Sequence, residues 1–100
     1  MKQLVEFTIK KFNRIDILVL SAGVSAHSFF VDLPDMKVFK SVFETNLYGY
    51  VYLTRHALPY LKKQKGQIVA ISSVTGSFPL PLRSHYSASK AAVNAFMRVI

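Results

Sequence analysis

Ile15-Asp16-Ile17-Leu18-Val19-Leu20, running into Ser21-Ala22-Gly23, decides how this chain folds. The run is short, nearly continuous in apolar residues, rich in branched side chains, and closed by a small-residue loop. That pattern predicts a buried strand of a parallel sheet, because a strand with one wet face would alternate polar and apolar positions. Gln67-Ile68-Val69-Ala70-Ile71-Ser72 is a second run of the same kind. Between them, Phe39, Val42, Phe43, Leu47, Tyr50, Val51, Thr54, Leu58 and Leu61 fall at three- and four-residue steps, the spacing of one long helix. Pro34 suits its first turn and Asp35 the positive end of its dipole. Pro59 is expected to bend or shorten its last turn, and Gly66 to end it. Strand, helix, strand is a βαβ unit with a right-handed crossover and a sheet covered on both faces.

Working outward, Leu4, Val5, Thr8, Ile9 and Phe12 predict a helix over 2–12. Residues 24–33, with Ser25, His27 and Ser28, read as a surface loop. A second loop carrying Gly76, Pro79 and Pro81 reaches about Ser84, and a last helix starts near His85 or Tyr86 and runs to Ile100. The fold class is α/β, with two central strands of a doubly wound parallel sheet and flanking helices. Two strands alone would show unpaired, very apolar edges. Residues 1–100 are therefore expected to be the central part of a single domain, incomplete at both ends.

The composition is globular, with 51% hydrophobic and 18% charged residues. No cysteine is present, so neither a disulfide framework nor a thiolate zinc site can form. His27, His56 and His85 have no metal-ligand spacing, and a loop role is the expectation for His85. No window reaches about 18 uninterrupted apolar residues. The first residues lack the apolar core and cleavage site of a signal peptide. The net charge of +8 raises the question of a polyanionic partner. Lys10-Lys11 and Lys62-Lys63-Gln64-Lys65, however, sit near predicted helix C-termini, where cations complement the dipole. The other charges are scattered, with no aromatic–basic interleaving to stack bases, so no nucleic-acid partner is expected.

Tyr86-Ser87-Ala88-Ser89-Lys90 carries the chemistry, with Ser73 thirteen residues before its tyrosine. Residues four apart share one helix face, so an ammonium lies near a phenol. A free phenol, with a pKa of about 10, is a poor base at neutral pH. A neighbouring cation favours the phenolate and brings it towards useful acid/base range. A hydroxyl from a separate loop is placed to hold a carbonyl oxygen beside it. Alone, the pair reads as an exposed helical pair without a role.

A strand ending in Ser21-Ala22-Gly23, a helix with Asn46, a strand ending in Ser72-Ser73, then Tyr86-x-x-x-Lys90: this order resembles the short-chain dehydrogenase/reductase family over essentially all 100 residues. Val51-Tyr52-Leu53-Thr54 and Ala57-Leu58-Pro59 resemble its hydroxysteroid-dehydrogenase-like branch. The resemblance implies a Rossmann-type NAD(P)-binding domain and hydride transfer between NADP or NAD, the branch favouring NADP, and a carbonyl/alcohol substrate. It implies that Tyr86 is the general acid/base and that Lys90 lowers the Tyr86 pKa and binds the nicotinamide ribose. Ser73 would polarise the substrate carbonyl, sharing substrate binding with Tyr86. Asn46 would interrupt its helix and free a main-chain carbonyl for a proton-relaying water; otherwise it is a satisfied core amide. Ser21, Ala22 and Gly23 would border the cofactor, with serine where the family usually has asparagine. Phe78, Leu80 and Leu82 either line a pocket for a lipophilic substrate such as a steroid or retinoid, or pack the loop down. The two long helices would pair subunits into a homodimer or homotetramer.

The family's phosphate loop, Thr-Gly-x-x-x-Gly-x-Gly, does not occur in the sequence. The competing expectation is therefore a catalytically inactive fragment or isoform that acts through its helices as an interaction module.

Overall fold

The structure is a computed structural model that describes residues 2–26, 28–73 and 83–100. Helix α1 spans Lys2–Phe12 and strand β1 spans Ile17–Leu20. A single 3-10 turn at Phe30–Asp32 interrupts the loop after β1. Helix α2 spans Lys37–Phe43, a π-helical segment covers Glu44–Tyr48, and α3 spans Gly49–Lys63. Strand β2 spans Gln67–Ala70 and α4 spans Ser84–Val99.

The strands pair in parallel, with Ile17 opposite Gln67, Leu18 opposite Ile68, Val19 opposite Val69 and Leu20 opposite Ala70. The ladder runs slightly beyond both strands, through Gln67 N–H to the Asp16 carbonyl at 2.9 Å and Ile71 N–H to the Leu20 carbonyl at 2.8 Å. Leu18 and Leu20 face a core built with Val5 of α1, Tyr50, Ala57 and Leu61 of α3, and Val93 of α4. Burying such side chains contributes about 1.5–3 kcal/mol each, which makes this cluster the main source of stability. Among the described residues, helices cover one face of the two strands. Ile17 and Val19 are 59% and 53% exposed, because α1, α3 and α4 all supply side chains to the cluster on the opposite face.

The long helix also departs from its expected form. Pro34 and Asp35 lie ahead of α2, and the Asp35 carboxylate accepts the Lys37 N–H at 2.9 Å, satisfying one of the unpaired donors at the helix start. Pro59 sits inside α3 without ending it; the helix continues to Lys63.

Its terminus is set by Lys65 rather than by glycine. Lys65 takes a left-handed φ of 51°, its N–H reaches the Lys62 carbonyl at 3.2 Å, and Gly66 N–H reaches the Leu61 carbonyl at 2.9 Å. That paired arrangement is the Schellman motif, with lysine in the left-handed seat. Gly66 is required for a different reason. A Cβ there would stand 2.3 Å from the Asp16 carbonyl oxygen and 2.9 Å from Leu61 Cδ2. The helix end and the start of β1 touch through this gap. Gly66→Ala is expected to destabilise the fold by about 1–3 kcal/mol, because backbone must move to admit the methyl. Chemical denaturation measures it, and an unchanged midpoint would contradict this packing.

Candidate active site

The C-terminal ends of the two strands point the same way, and the first turns of α4 lie beside them. Ligands of open α/β sheets bind at that end. Ser21, Ala22 and Gly23 leave β1 there as exposed coil. Ser72 and Ser73 leave β2 there. Tyr86 and Lys90 come from α4, and Asn46 from the π-helical segment.

Asn46 is fully buried, and its carboxamide is a clamp. Its Oδ1 accepts the Val24 N–H at 2.8 Å, and its Nδ2 donates to the Val24 carbonyl at 2.9 Å and to Ser89 Oγ at 3.1 Å. Ser89 Oγ in turn donates to the Tyr86 carbonyl at 2.7 Å. One side chain thus ties the loop after β1 to the turn of α4 that carries Tyr86. The expected interruption of the helix at Asn46 takes the form of the π-helical segment, a feature often found at functional sites.

Lys90 is only 4% exposed. Its Nζ donates to the Ile71 carbonyl at 3.3 Å. The same nitrogen lies 5.6 Å from the ring centroid of Tyr86 and 5.6 Å from that of Tyr50. A Cβ built on Gly23 would be 3.6 Å from both Lys90 Nζ and Asn46 Oδ1. The structure therefore brings together Gly23, Asn46, Tyr86 and Lys90. Ser73 is half-buried, two residues beyond the carbonyl that receives Lys90. Ser72 donates from Oγ to Asn94 Oδ1 on α4 at 2.6 Å and so ties the end of β2 to that helix.

Three participants escaped sequence reasoning. Tyr50 was assigned to the helical core by its periodicity; it is indeed buried, yet its hydroxyl donates to the Ile71 carbonyl at 3.3 Å. Ser89 looked like a spacer inside the Tyr-x-x-x-Lys motif. The Arg83 guanidinium lies 5.6 Å from the Tyr86 ring centroid, and its position just before the helix was the only available signal. His85 is a correction. It is fully buried in the first turn of α4, not in a loop, and its Nδ1 accepts the Tyr86 N–H at 2.9 Å. The imidazole thereby serves a helix-start donor that would otherwise lack a partner. His27 and the apolar loop residues Phe78, Leu80 and Leu82 lie outside the described residues.

The sequence model of the short chain dehydrogenase family matches residues 1–100. An 11-beta-hydroxysteroid dehydrogenase A of Sesamum indicum is 37% identical over 99 residues, covering 99% of this chain and 28% of that protein. Its namesake in Arachis hypogaea is 44% identical over 91 residues, covering 91% of this chain and 26% of that protein. The chain thus spans little more than a quarter of the length of these relatives. Among solved structures, the KRED1-Pglu enzyme superposes with a TM-score of 0.89 at 37% identity, covering 94% of this chain and 39% of that one. The ligand-free aldohexose dehydrogenase of Thermoplasma acidophilum gives 0.93 at 29% identity, covering 98% and 38%. The α/β architecture of paired parallel strands and flanking helices is thus that of Rossmann-type dehydrogenases. The chain belongs to the short chain dehydrogenase family, in its hydroxysteroid-dehydrogenase-like branch.

Proposed function

We propose that residues 1–100 form the central, catalytic part of a Rossmann-type domain that moves hydride between NADP or NAD and a carbonyl/alcohol substrate. The observation that carries this reading is Lys90: a buried ammonium held beside Tyr86, with Gly23 leaving space against it. A buried cation is costly unless its surroundings compensate for it, so its placement next to a phenol asks for a use. Tyr86 gives its proton to the substrate oxygen in reduction and takes it back in oxidation. Lys90 holds its charge beside that oxygen and donates to the cofactor ribose. Ser73 donates to the substrate carbonyl and fixes its position. Asn46 locks the loop after β1 with its side chain, and in this reading its main-chain carbonyl takes a water on the proton path.

The bound nicotinamide supplies the hydride chemistry itself. Ser21, Ala22 and Gly23 fit such a group: they are exposed at the strand end, and the missing Cβ of Gly23 leaves backbone next to Lys90 Nζ. The names of the relatives favour a steroid-like, lipophilic substrate. A homodimer or homotetramer through α3 and α4 suits the apolar groove between them, lined by Val51, Leu58, Pro59 and Phe96.

Gly23→Ala tests the cofactor assignment. The added methyl meets its neighbours at an ordinary 3.6 Å, so thermal stability stays unchanged. Nucleotide affinity falls about tenfold, because the methyl occupies the approach of the cofactor. Fluorescence titration with NADPH and NADH reads this. Failure of the unsubstituted protein to bind either nucleotide would overturn the proposed function.

A further inference from the structure

Tyr50 is a second phenol beside Lys90, and none of the roles above employs it. It is 3% exposed and lies four residues after Asn46, just past the π-helical segment. Its hydroxyl and Lys90 Nζ both donate to the Ile71 carbonyl, each at 3.3 Å.

The chain holds five acidic residues. Among the described residues they form two ion pairs, Lys2 with Glu6 and Arg14 with Asp16, and neither involves Lys90. The Lys90 ammonium is therefore buried without a carboxylate. Among the described residues its compensation is one carbonyl at a long hydrogen-bond distance and two aromatic rings, each 5.6 Å from Nζ. Attraction between a cation and an aromatic ring is strongest where water is excluded. Tyr50, the more deeply buried of the two tyrosines, offers its ring in that setting. Burial, and after it the nearby Tyr86 phenol, push the Tyr50 phenol above its ordinary range, so it remains a neutral donor to the shared carbonyl.

We propose that Tyr50 is the positioning residue for Lys90: its ring holds the ammonium within reach of Tyr86, beside the Ile71 carbonyl to which both side chains donate. The proposal rests on the reading of Tyr86 and Lys90 as a proton-transfer pair, but its first test needs no turnover. NMR of the full chain with lysine- and tyrosine-selective labelling reads the cross-relaxation between the Lys90 ε-methylene protons and the Tyr86 ring. Tyr50→Phe retains that contact and keeps kcat within about threefold, since the ring remains. Tyr50→Leu weakens the contact and lowers kcat about tenfold to thirtyfold at nearly constant KM for the carbonyl substrate. A purely structural core tyrosine would instead alter stability and leave both readouts of the folded protein alone.

Should Tyr50→Leu fail to fold, Tyr50→Met fills a similar volume without a ring and decides by the same readouts. An unchanged contact between Lys90 and the Tyr86 ring in a folded ringless variant overturns the proposal. A weakened contact supports it even if Tyr86→Phe leaves turnover intact, in which case the proposed reaction falls and the positioning stands.

Discussion

Under the proposed reaction, Tyr86→Phe is expected to lower kcat for carbonyl reduction by about a thousandfold, with KM for substrate and affinity for nucleotide changed by less than about threefold. The substitution removes one oxygen and little else. Tyr86 is half-buried, and its ring lies 5.6 Å from Lys90 Nζ and 5.6 Å from the Arg83 guanidinium. Phenylalanine keeps that ring, so both cations retain an aromatic neighbour. The backbone bonds that place residue 86, its N–H to His85 Nδ1 and its carbonyl to Ser89 Oγ, do not involve the side chain. Thermal unfolding should therefore match that of the parent protein. In the proposed reaction the lost function is proton delivery to the oxygen that becomes an alcohol, a need felt in the transition state and hardly at all in the bound ground state. General acid catalysis contributes about 10²–10⁴-fold, and the expected loss lies at the centre of that range. Steady-state kinetics with one lipophilic ketone suffices. A variant retaining more than about a tenth of the rate would show that the proton comes from elsewhere.

The elements that position Tyr86 were legible in the sequence to different degrees, for physical reasons. Leu18 and Leu20 announced β1, and Ile68 and Ala70 behave as their partners, because a branched apolar run has few alternatives to a sheet. Which face of the sheet is covered was not legible. Ile17 and Val19 are as apolar as Leu18 and Leu20, and only the placement of α1, α3 and α4 separates the two pairs. Tyr86 and Lys90 were readable because helical spacing of four is local geometry. The partners of Asn46 were not readable, since Val24 contributes only its backbone, which any residue would offer at that position. Tyr50 shows a further limit. The periodicity that buries a tyrosine is identical to the periodicity that buries a leucine, so its hydroxyl bond to Ile71 and its ring beside Lys90 emerge only in three dimensions. The helix stop at Lys65 hid behind Gly66, since the expected residue was present for a steric reason at the neighbouring position.

Asn46→Ala should produce the largest loss of stability among single substitutions in the site, about 2–4 kcal/mol. Three hydrogen bonds end at this one carboxamide, two on Val24 and one on Ser89. Their loss is not evenly felt. Val24 is 42% exposed, so water can take over part of its backbone hydrogen bonding. Ser89 is fully buried and keeps only its donation to the Tyr86 carbonyl. Alanine also leaves a small void in a wall that has no solvent contact. For a domain of about 100 residues each kcal/mol moves the midpoint by about 4–8 °C, so Tm should fall by roughly 10–25 °C. The loss has a local signature that separates it from general destabilisation. With the clamp gone, the Val24 amide exchanges with solvent much faster at temperatures where the protein remains folded, while the Ile71 amide, bonded to Leu20 within the sheet, exchanges as before. Equal acceleration at both amides would mean that Asn46 supports the fold as a whole and does not hold the loop against α4. Selective acceleration at Val24 would place the order of the Gly23–Val24 loop under the control of a side chain on the far side of the site, with Ser89 as the link to Tyr86.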